Sequence, residues 1–65
     1  MDTPIEQLTR WELVDKLLQA YASLHDTDAE TEAIIMLKGE LYRRGAEKNE
    51  IVTIALAGLF KQNLN

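Results

Sequence analysis

The sequence predicts an all-α fold, a small three-helix domain that follows a short N-terminal helical turn and is able to dimerise. Three observations predict it. Apolar residues recur at helical spacing through most of the 65 residues. Capping signals of the Ser/Thr-x-x-Glu form and a well-placed glycine punctuate that pattern. The run from Ile51 to Phe60 is apolar except for Thr53, and a helix apolar all round must be covered all round. So short a chain has few elements with which to cover it, so the run points to a partner chain or a self-associated form. One domain is expected over residues 1–65.

At the N-terminus, Thr3-Pro4-Ile5-Glu6 has the form of a capping box with Pro at the first helical position, and Thr9-Arg10-Trp11-Glu12 repeats the box six residues later. Phase decides between them. On one continuous helix Leu13, Val14, Leu17, Leu18, Tyr21 and Leu24 share a face, whereas Ile5 and Leu8 point nearly the opposite way. A break at Thr9 removes the conflict and makes Leu8 and Leu13 the pair of a hydrophobic staple. The expectation is a helical turn over 3–8 and a first helix over about 10–24.

The second helix is expected over about 28–44. Thr27 and Glu30 form a third capping box, with Asp28 as an alternative cap. Acids at 28, 30 and 32 and arginines at 43 and 44 complement the helix dipole, and Gly45 suits a left-handed stop. Its apolar arc is wide: Ala33, Ile34, Leu37 and Leu41 form one part, and Ile35 and Tyr42 extend it, which predicts contact with both neighbours. The third helix is expected over about 47–62. The β-branched residues between Ile51 and Leu56 would also suit a strand, but a lone strand would have no partner. Its natural core face is Val52, Ala55, Leu56 and Leu59, which places Ile54, Ala57 and Gly58 on an outer face where another helix could approach.

Composition narrows function. A domain this small buries only about 60% of the surface of its unfolded chain. It has no cysteine for a disulfide and a single histidine, so packing or association must hold it together. Absence of cysteine fits a cytoplasmic setting. The start, Met1-Asp2-Thr3-Pro4, is acidic where a signal peptide would be basic, so no secreted precursor is expected. The apolar run is about half the roughly 20 residues that span a bilayer. A net charge of −4 repels nucleic acid and anionic membranes.

Chemistry has little to stand on. Asp26, Asp28 and Glu30 copy the first three alternate positions of a calcium loop, but Thr31 replaces the required Gly and Leu37 the bidentate Glu. No metal site and no cofactor are expected. His25 has only Ser23 nearby as a nucleophile, and an enclosed pocket would consume most of so small a core. No enzyme is expected.

The expected function is therefore protein binding, as a small regulator, adaptor or inhibitor with homodimerisation as an option. Trp11, Ile35, Tyr42, Ile54, Ala57 and Gly58 are the interface candidates. Tyr21 and Tyr42 also suit a core, and so does Trp11, since Trp is highly buried on average. The alternative is a helix-turn-helix DNA-binding regulator, with Arg43-Arg44-Gly45 as the turn and Lys38, Arg43, Arg44 and Lys48 as phosphate contacts. In that reading only Lys48 and Asn49 could reach bases, and two glutamates beside them would face phosphate.

Overall fold

The computed structural model describes residues 4–24 and 30–64, and within them every regular element is helical. A 3₁₀ turn, Ile5–Gln7, precedes three α-helices: α1 Arg10–Ala22, α2 Glu32–Arg43 and α3 Lys48–Leu64.

The break at Thr9 is present. The Thr9 hydroxyl accepts from the Glu12 backbone N–H at 3.1 Å, and the Glu12 carboxylate accepts from the Thr9 backbone N–H at 2.9 Å. These reciprocal bonds hold the Glu12 carboxyl below its usual range, the backbone bond being the larger cause. Leu8 and Leu13 are both buried in the same core cluster, as a staple requires. Thr3, the other candidate cap, lies outside the described residues.

α2 starts later than expected, at Glu32 instead of about 28, with Thr31 as its cap; the Thr31 hydroxyl accepts from the Ile34 N–H at 3.3 Å. Thr27 and Asp28 lie outside the described residues, but Glu30 is not helical, and its carboxylate bonds the side chains of Tyr21 and Lys38. A tertiary contact has replaced the capping role assigned to it. The far end follows the sequence closely. Gly45 has φ +94°, its N–H bonds to the Tyr42 carbonyl at 3.0 Å, and the Ala46 N–H bonds to the Leu41 carbonyl at 3.0 Å. This is the Schellman pattern, in which the left-handed glycine turns the chain so that the last carbonyls find donors. Ala46 and Leu41 are both buried, completing the apolar contact of that motif.

Side-chain ties fix helix directions. Arg10 pairs with Glu50 at the N-terminal ends of α1 and α3, and the Gln62 amide donates to the Leu24 carbonyl at their C-terminal ends, so these helices run parallel. α2 runs antiparallel to both: Glu30, before its start, meets Tyr21 late in α1, and Arg44, past its end, reaches the turn that precedes α1. α1 is the common partner, packing most extensively on α3 and next on α2. α2 and α3 approach each other far less than either approaches α1, although Ile34, Leu37 and Leu41 of α2 join Ile51 and Ile54 of α3 in one core cluster. The result is a flattened body of 31 × 30 × 19 Å. Leu13, Leu17, Ile34 and Leu41 are its most deeply buried large side chains.

The phase of α3 corrects the sequence reading. Ile51, Ile54 and Gly58 face the core, Ala55 and Leu59 are half-buried, and Val52 and Leu56 are exposed. Gly58 supplies the physical reason. A Cβ built there would stand 2.5 Å from the Tyr21 Cβ and 2.8 Å from the Leu18 carbonyl oxygen. Only a residue without a side chain lets α3 come this close to α1, and that approach draws Ile54, one turn earlier, inward. Because α3 is apolar nearly all round, periodicity gave no preference for either face. Thr53, the polar exception in its run, donates its hydroxyl proton to the Asn49 carbonyl at 2.8 Å.

Candidate interaction surfaces

Two polar clusters brace the helices. In the first, the Tyr21 hydroxyl donates to Glu30 Oε2 at 2.5 Å, and Lys38 Nζ contacts both Glu30 oxygens at 3.1 and 2.9 Å. The Tyr21 bond, then the Lys38 bond, hold the Glu30 carboxyl below its ordinary range. Burial, reinforced by the Glu30 carboxylate, pushes the Tyr21 phenol well above its own.

In the second cluster Glu40, only 7% exposed, receives three charged hydrogen bonds. Arg43 meets it in a bidentate fork, Nε to Oε1 at 3.1 Å and Nη2 to Oε2 at 3.0 Å, and Arg44 Nε reaches Oε2 at 2.8 Å. The Arg43 bond, then the Arg44 bond, lower the Glu40 pKa. Arg44 Nη2 continues to the Glu6 carbonyl at 3.0 Å and the Ile5 carbonyl at 3.4 Å, fastening the N-terminal turn to the end of α2. Sequence reasoning missed this clamp, although the signal was there: Glu40 precedes the arginines by three and four residues, the spacing at which helical side chains meet. Of the four basic residues considered as phosphate contacts, Lys38, Arg43 and Arg44 are thus each engaged by a carboxylate. Lys48 is exposed at the start of α3.

Seven large apolar side chains remain exposed on the rest of the described surface. Trp11 is 82% exposed at the first turn of α1, so it is not core material here. On α2, Ile35, Met36 and Tyr42 are exposed, the extension of the apolar arc being left largely uncovered. Tyr42 is therefore not core, unlike Tyr21, although its phenol lies near enough to contribute to the raised Tyr21 pKa. On α3, Val52, Leu56 and Phe60 lie exposed four residues apart. Ala57 is exposed as expected. Ile54 and Gly58, the other two outer-face candidates, are buried, Gly58 against Leu18 and Tyr21 of α1. Met36, Val52, Leu56 and Phe60 take their place at the surface. Phase reasoning could not find the α3 members, because their exposure follows from the close approach at Gly58.

His25, Asp26 and Asp28 lie outside the described residues, and Glu30 is engaged by Tyr21 and Lys38. Among the described residues no helix is long and apolar enough to cross a membrane. Comparison with known protein families, with characterised proteins and with solved structures found no match.

Proposed function

We propose that this chain is a small protein-binding module, a regulator, adaptor or inhibitor that acts through apolar helix faces in the cytoplasm and catalyses no reaction. One observation carries the reading: large apolar side chains on all three helices remain exposed after the core has formed. Single exposed aliphatics are normal, whereas large apolar side chains that recur along one helix face, as Val52, Leu56 and Phe60 do, form a stripe that a partner can cover. Trp11 and Tyr42 add the residue types that anchor interfaces. The helix-turn-helix alternative draws less support, because in-chain carboxylates already engage Arg43 and Arg44 and a net charge of −4 opposes approach to phosphate.

Site-specific photocrosslinking in cells tests the proposal. A photoreactive side chain at Ile35, Tyr42 or Trp11 is expected to give discrete protein adducts, whereas the same group at exposed Asp15 gives none. Adducts at Asp15 in the same pattern, or none at any apolar position, would contradict it.

A further inference from the structure

Among these faces the one on α3 has a property the others lack. Its exposed positions between Lys48 and Lys61 are Asn49, Val52, Thr53, Leu56, Ala57 and Phe60, none of them ionisable. Resting on the protein-binding reading, we propose that this stripe is covered by a second copy of the chain, the two α3 helices packing antiparallel about a two-fold axis at Leu56.

Symmetry is the first argument. A two-fold interface must be self-complementary. Val52 and Phe60 stand four residues, or about 6 Å of helix, on either side of Leu56. Across an antiparallel pair, the larger Phe60 then opposes the smaller Val52 of the second copy, and Leu56 opposes itself. Large-against-small alternation is how facing apolar layers interdigitate. Charge is the second argument. Two copies each carrying −4 repel, so their contact belongs where carboxylates are absent. From Ile51 to the C-terminus there is no Asp or Glu, and Glu50 is already paired with Arg10. A basic partner would find no acid along this stripe with which to pair. Opposed macrodipoles add a small favourable contribution.

Area sets the strength. The three apolar side chains offer on the order of 300 Å², well short of the ~800 Å² per partner of a standard interface. The dimer is accordingly weak and transient, populated toward the upper end of the concentrations below.

Sedimentation equilibrium from low micromolar to millimolar concentration tests this, with circular dichroism verifying the fold of each variant. The wild-type chain is expected to show a reversible monomer–dimer equilibrium. Leu56→Glu and Leu56→Lys should each raise the dissociation constant ~100-fold or more, because like charges would face each other across the axis. An equimolar mixture of the two should recover association, which happens only where position 56 opposes its own copy. A wild-type chain monomeric throughout would overturn the dimer while leaving the crosslinks at Ile35, Tyr42 and Trp11 to decide the broader reading. Dimerisation unaffected by either variant, or not restored on mixing, would overturn the arrangement about Leu56.

Discussion

Gly58→Ala is expected to destabilise the protein by about 2 kcal/mol, although alanine favours a helix over glycine by about 1 kcal/mol. The added methyl would meet the Tyr21 Cβ and the Leu18 carbonyl, neither of which is the movable end of a long side chain. α1 and α3 would have to separate along their main contact, and Gly58→Val should lose more. The matched control is Gly39→Ala on α2, where a new Cβ meets nothing within 4 Å. There only the propensity gain operates, and stability should rise by about 0.5–1 kcal/mol. Urea denaturation of both variants at low micromolar concentration measures the difference. Two variants equally stabilised would mean that α3 does not approach α1 at Gly58.

Leu17→Ala should cost about 3 kcal/mol. A domain of this length has a total stability of roughly 3–10 kcal/mol, so this one change brings it near unfolding at room temperature. Leu17 is fully buried on α1, the helix that both others pack against. Leu56→Ala removes the same atoms from a helical leucine that is 62% exposed. Its expected effect on the monomer is below about 0.5 kcal/mol. Denaturation at a concentration where the chain is monomeric compares them directly; similar losses would mean that α3 presents a different face to the core.

Much of the fold was legible because local chemistry marks it. Thr9 and Glu12 form their box irrespective of the rest of the chain, and the Leu8–Leu13 spacing fixes how the turn enters α1. Gly45 adopts the left-handed conformation that its position after two arginines implied. Failures arose where local signals were absent or tertiary contacts prevailed. Glu30 had two plausible uses, and the Tyr21 hydroxyl and Lys38 amine claim it in place of a helix cap. The face of α3 was misassigned because a nearly uniform apolar helix carries no phase information. The residue that sets the phase is Gly58, whose contribution is the absence of a side chain. Outer-face reasoning placed Gly58 toward a second chain, and the close approach it permits is instead to α1. The surface candidates followed from that error: Trp11, Ile35, Tyr42 and Ala57 are exposed, Ile54 and Gly58 are not, and Leu56 and Phe60 emerge only once α3 is turned the right way.

α3 buries Ile54 and leaves Leu56 outward, on the face proposed to meet a partner. The chain has no cysteine, so a single introduced thiol reports one position without ambiguity. The most direct measurement is the rate at which Ile54→Cys and Leu56→Cys variants react with an aromatic disulfide reagent, across a range of protein concentrations. At low micromolar concentration Leu56→Cys should react at least ~10-fold faster than Ile54→Cys, the buried thiol waiting on local opening. As concentration rises, the rate at position 56 should fall while that at position 54 stays constant. Equal rates at the two positions, or faster reaction at 54, would mean that α3 turns a different face to the core.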